Sequence, residues 1–107
     1  KKTKSTKPDL QAESKVIMDD ESSFSEICNR FSEDKIKEID VRHLEMPLPM
    51  QTILAELEEL QEDTALYVHH KRVPIYLLEE LAGGDFDVHI HNIADGNTKM
   101  LIFHSLS

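Results

Sequence analysis

The chain has 107 residues, 39% of them hydrophobic and 31% charged, with a formal net charge of −9 at pH 7. That length fits one globular domain, no apolar run approaches the ~20 residues of a membrane-spanning helix, and an acidic body repels the phosphate backbone of nucleic acids. Cys28 is the only cysteine, which excludes an intrachain disulfide or a thiolate metal cluster and suits a reducing cytoplasm.

Residues 1–21, "KKTKSTKPDLQAESKVIMDDE", are polar and carry no sustained period, so they read as a disordered tail or linker. Lys1, Lys2, Lys4 and Lys7 crowd its start, and without them the balance falls from −9 to −13. A chain that begins on lysine is expected to be a fragment, a processed form or the later part of a longer protein. Residues 22–35 hold a short amphipathic helix at about 23–31, because Phe24, Ile27, Cys28 and Phe31 fall on one helical face. Ser23 and Glu26 have capping-box spacing. Cys28 lies in that apolar stripe and reads as a small core residue.

Residues 36–107 form the clearest unit. "KEIDVRHL" alternates as a half-buried strand, with Ile39 and Val41 inward. "PLPMQTILAELEELQED" follows as a helix, its stripe made by Met50, Ile53, Leu54, Leu57 and Leu60, with Pro47 and Pro49 where a first turn tolerates proline. "TALYVHHK" is a second strand, with Leu66 and Val68 on one face and Tyr67 and His69 on the other. "PIYLLEELAGG" is a short helix between Pro74 and a glycine cap at Gly83 and Gly84. "FDVHIHNIADGNTKMLIFHS" is a hairpin turning at Asp95-Gly96. The order β-α-β-α-β-β, with a right-handed crossover first, predicts an α/β (α+β) two-layer sandwich: a four-stranded mixed sheet with both helices on one face and the other face bare.

"IDVRHLEMPLPM" resembles the sulfur-carrier signature "LDxRGLxCPxP" of the TusA/SirA family. Ile39, Asp40, Arg42, Leu44, Pro47 and Pro49 align with the pattern over a match spanning 38–104. The resemblance implies the same fold and a cytoplasmic domain. Two departures carry consequences. His43 stands where the family has glycine, and Met46 stands where it has the sulfur-carrying cysteine. A thiolate at a helix N-terminus is stabilised by unpaired N–H groups; a thioether neither ionises nor forms a persulfide. The chain therefore resembles a cysteine-less branch of regulatory or accessory domains, and sulfur relay at Met46 is excluded. No catalytic triad, phosphate loop or nucleotide fingerprint is present, so a non-enzymatic role is expected.

Two constellations remain. At the helix starts, Arg42, His43, Met46, Pro47, Pro49, His70, Lys71 and Arg72 are expected to lie together, favouring a small anion or a partner's carboxylate. His43, His70 and Met46 offer a soft-metal alternative such as copper. In the sheet, a regular hairpin pairs Ala94 with Asn97 and Asp87 with His104. Val88, Ile90, Leu101 and Phe103 then face the helices. Tyr67, His69, His89, His91, Met100, Ile102 and His104 face the bare side, as a surface for a protein partner or for self-association as a homodimer. His89, His91 and His104 are the alternative zinc or copper set there. The leading expectation is thus a non-catalytic cytoplasmic interaction or regulatory module without a cofactor, nucleic acid or membrane partner. The alternatives are a metal- or anion-binding accessory domain and, more weakly, a sulfur-transfer component using Cys28.

Overall fold

The computed structural model describes residues 16–82 and 84–105. The elements run β1 (Val16–Met18), α1 (Glu21–Cys28), a 3-10 turn (Glu33–Lys35), β2 (Ile36–Asp40), α2 (Leu48–Glu58), β3 (Ala65–His70), α3 (Ile75–Ala82), β4 (Phe86–Ala94) and β5 (Asn97–His104). From β2 onward this is the expected order, and the domain is a mixed α/β sandwich. The sheet, however, has five strands in the order β1-β4-β5-β3-β2. β2 pairs parallel with β3, β3 antiparallel with β5, and β5 antiparallel with β4.

The fifth strand falls inside the segment expected to be a tail. Val16, Ile17 and Met18 pair parallel with Val88, His89 and Ile90, and the Asp19 N–H extends the ladder to the Ile90 carbonyl at 2.7 Å. Residues 1–15 of that expected tail lie outside the described residues. Helix α1 also starts earlier than its Ser23–Glu26 spacing suggests. Asp20 is the N-cap, and its Oδ1 accepts the Ser23 N–H at 2.8 Å. An N-cap carboxylate satisfies one of the free N–H groups of the first turn, so Ser23 is the recipient of the cap.

α2 and α3 cover one face of the sheet. Ile53, Leu57, Leu77 and Leu81 meet Leu66, Val68, Val88, Ile90, Met100 and Ile102 there, and each is buried. The other face, expected to be bare, is covered by α1, whose Phe24 and Ile27 pack on Ala65, Leu101 and Phe103 with Cys28, Phe31 and Tyr67 around them. The Phe24 ring meets Tyr67 edge-on at 5.8 Å, and Phe31 lies 5.2 Å from Phe103.

The hairpin corrects the expected register. Ala94 does pair with Asn97, but a bulge between Asn92 and Ala94 leaves Ile93 without an opposite residue. Below it every pairing moves by one: Asp87 faces Phe103, and His104 faces Phe86. A type I′ turn needs positive φ at both central residues, whereas among the described residues only Gly96 has one, at 80°. The hairpin takes up the mismatch as a bulge. Because side chains alternate with a period of two, one extra residue exchanges the faces of the whole of β5 relative to β4. Met100 and Ile102 therefore enter the α2/α3 core, fully buried, and Leu101 and Phe103 turn to α1. Gly84, expected as a helix cap, is not in the left-handed region, and Gly83 lies outside the described residues.

Candidate functional site

The sheet-face constellation is dispersed by this architecture. His104 lies on the α2 side, where its Nε2 donates to the Leu60 carbonyl at 2.8 Å. It is on the opposite face from His89 and His91, so these three rings do not converge on a metal. His89 Nδ1 meets Asp19 Oδ2 at 2.7 Å, in a pair whose side chains are only 13% and 9% exposed. His91 Nδ1 donates to the Asp19 carbonyl at 3.3 Å. Both strand histidines thus fasten the junction between β1 and α1. His69 is engaged as well. The Lys99 ammonium donates to His69 Nδ1 at 2.6 Å, which leaves the ring proton on Nε2, facing Glu38 Oε2 at 2.5 Å. Tyr67 sits half-buried beneath α1. Among the described residues no group of three or more His, Cys, Asp or Glu side chains is arranged to hold a metal ion.

Cys28 is half-buried beside the α1 core, where burial and then the Asp19 carboxylate push its thiol up. Reactive cysteines sit in electropositive, accessible surroundings; this thiol is in the reverse setting.

The helix-start constellation is partly assembled. Arg42 does not join it. Its guanidinium forks onto the Asp40 carboxylate, Nε to Oδ1 at 2.9 Å and Nη2 to Oδ2 at 2.7 Å, and its backbone N–H donates to the same Oδ1 at 3.0 Å. Arg42 holds the Asp40 carboxyl far below the usual carboxylate range. The Asp-x-Arg of the sequence pattern is therefore a clasp on the turn after β2, where the Val41 N–H still reaches the His69 carbonyl. Pro47 is the exposed N-cap residue of α2, joined to Met46 by a cis peptide, and it makes no side-chain cap. His43 is exposed on the turn, and neither His43 nor Pro47 lines the cleft described next.

That cleft has a volume of about 260 Å³ and lies where α2 and α3 begin. Met46, Pro49 and Met50 line it from one helix start, His70, Lys71 and Arg72 from the end of β3, and Val73, Pro74, Ile75, Tyr76 and Leu77 from the start of α3. Of the expected cluster it unites Met46, Pro49, His70, Lys71 and Arg72. Among the described residues no carboxylate lines it. Burial, then the charges of Arg72 and Lys71, lower the pKa of His70, so its imidazole is neutral near pH 7. The Arg72 N–H donates to His70 Nδ1 at 3.3 Å.

Ile75 and Tyr76 escaped the sequence reading. They are 64% and 70% exposed, and Met46 and Leu48 are about half exposed. A signal was present: Leu77 and Leu81 set the buried phase of α3 at i, i+4, and Ile75 and Tyr76 fall outside it.

The fold and cleft define a small mixed α/β domain with an apolar, cation-edged groove at the start of two helices. Residues 38–104 match the family described as "Uncharacterized conserved protein (DUF2249)", and the chain belongs to that family. β1 and α1 lie outside the matched residues. No curated protein and no solved structure gives a significant match. Among the described residues no helix is long and apolar enough to cross a membrane.

Proposed function

We propose that this domain is a non-catalytic, cytoplasmic protein-interaction module of TusA/SirA-like chain order, whose cleft docks a partner segment combining an apolar side chain with negative charge. The observation that carries this reading is the gathering of Met46, Ile75 and Tyr76, all exposed, around one cleft whose only charged lining residues, among the described residues, are Lys71 and Arg72. Large exposed apolar groups that cluster mark interaction sites. In a chain of net charge −9, a carboxylate-free groove edged by two cations is the surface complementary to an acidic segment. Met46 occupies the position that in the sulfur carriers bears the cysteine, and its thioether offers contact area and no nucleophile. The sheet face has no part in this reading, because α1 occupies it.

Selection of random peptides on the immobilised protein tests the proposal. Enriched sequences should combine an aromatic or aliphatic residue with an acidic group, and should bind Ile75→Ala/Tyr76→Ala at least about tenfold more weakly, as expected for anchor contacts. Both positions are exposed, so folding should be unaffected. A selection that enriches nothing, that returns basic sequences, or whose products bind the variant equally well refutes the reading.

A further inference from the structure

His70 points to the group that anchors such a partner. It is the last residue of β3, on the face covered by α2 and α3, and it is 2% exposed. Its Nδ1 already accepts the Arg72 N–H, so in the neutral ring the proton is on Nε2. Among the described residues Nε2 is buried without a hydrogen-bond partner, while His70 forms part of the cleft lining. A buried donor without an acceptor is unfavourable, and an acceptor delivered by a ligand removes that penalty.

The surroundings specify the charge of this acceptor. α2, of eleven residues, begins without a side-chain cap, and α3 begins at the same cleft. Helix N-termini favour anions, and Lys71 and Arg72 add positive charge. The volume specifies the size. About 260 Å³ takes one apolar side chain with a carboxylate beside it. A chain terminus has that compact arrangement, since its carboxylate is attached to the same carbon as its last side chain. An internal acidic residue holds its carboxylate apart from the neighbouring apolar group.

Resting on the cleft as the interaction site, we propose that it captures the free C-terminus of a partner chain ending in an apolar, preferably aromatic, residue. The terminal carboxylate accepts the Nε2–H of His70 once the side chains that close this buried nitrogen off from the cleft move aside, with Arg72 and the two helix starts supplying positive potential. The last side chain lies against Met46, Met50 and Tyr76, where thioether–aromatic contacts are favourable. Terminal carboxylate capture is a recurrent recognition mode, and a bond to a charged acceptor is about twice as strong as a neutral one.

The test uses three acetylated tetrapeptides: one ending in phenylalanine with a free carboxylate, the same peptide as its C-terminal amide, and an amidated peptide with aspartate before an internal phenylalanine. Binding to the ¹⁵N-labelled protein is followed through the imidazole nitrogens and the amides of residues 46–51 and 70–77. The free-carboxylate peptide should saturate, shift the His70 Nε2–H resonance, and bind roughly tenfold tighter than its amide. His70→Phe, which keeps an aromatic ring without the donor, should weaken it by a similar factor. If that variant does not fold, the wild-type Nε2–H shift decides the matter. Equal affinity for the amide, an unmoved Nε2–H at saturation, or no binding of the free-carboxylate peptide overturns the terminal-capture proposal. Tighter binding of the internal-aspartate peptide overturns it too, yet leaves the interaction module standing, which the peptide selection judges separately.

Discussion

Replacing Phe24 by alanine tests whether α1 is an integral layer of the domain. The ring is 5% exposed and sits on a small cluster with Ile27, Ala65, Leu101 and Phe103, 5.8 Å from both Tyr67 and His91. A buried phenylalanine removes at least about 150 Å² from water, worth about 4 kcal/mol at ~25 cal/mol per Å². Phe→Ala substitutions in cores cost about 3–5 kcal/mol. Because α1 is short and can settle partly into the space, a loss of about 3 kcal/mol is expected. For a domain of this size that lowers the melting midpoint by about 12 °C or more. Thermal and urea unfolding by far-UV circular dichroism measure the loss, and amide exchange locates it. Exchange in α1 and β1 should accelerate at least as much as in β3 and β5, since the two elements are joined through Asp19 and Asp20. A midpoint within about 2 °C of wild type, with unaltered exchange in α1, would refute the claim that α1 holds this face.

Three further outcomes follow from the geometry. Asp40→Asn should destabilise the protein at pH 7 and lose its effect in acid: the folded carboxyl is held below its ordinary 3.8, so its contribution is complete above that pH and disappears as pH falls from 3.8 towards the folded value. Urea midpoints of both proteins between pH 2 and 7 measure this, and a difference that grows in acid contradicts the clasp. His89→Ala should cost about 2 kcal/mol by leaving the Asp19 carboxylate buried without its partner, whereas His89→Ala/Asp19→Ala should recover part of that; a double mutant no better than the sum of the singles disproves the coupling. Met46→Cys in a Cys28→Ser background should place a thiol at the start of α2 near Lys71 and Arg72, reacting with a disulfide reagent at pH 7 at least about threefold faster than Cys28 in the wild type. Equal rates would show that this position is not electropositive.

Much of this architecture was legible because it is written in local periodicity. The alternation of Leu66 and Val68 with Tyr67 and His69, the Ile53–Leu57 stripe and the Asp95-Gly96 turn each reduce to a few neighbouring residues. What stayed illegible depends on distant partners or on parity. Val16–Met18 is too short to alternate visibly and becomes a strand only because β4 offers a free edge. Ile93 looks like one more strand residue, yet as a bulge it reverses which side of β5 meets α2 and α3, so Met100 and Ile102 exchange places with Leu101 and Phe103, and His104 is removed from the other histidines. In the cleft, Met46, His70 and Arg72 were foreseeable from strands and helices meeting at one end of the sheet. Alternation already put Arg42 on the same strand face as Asp40, but not as clasped to it, because its backbone N–H reaches the same carboxylate only where the chain turns after β2.

The placement of β1 and α1 has a consequence for where this domain ends. The pattern that defines the family starts at residue 38, but the body that folds around it starts no later than Val16. A chain trimmed to the pattern would turn Leu101, Phe103 and Tyr67 to water and strip β4 of β1, leaving it an open edge that invites edge-to-edge association. The same pattern preceded by a different segment would have that face vacant, or filled by something else. What this sheet presents to the cell is thus decided by residues upstream of the recognisable pattern, and domains that look alike within it can differ in what they are able to hold.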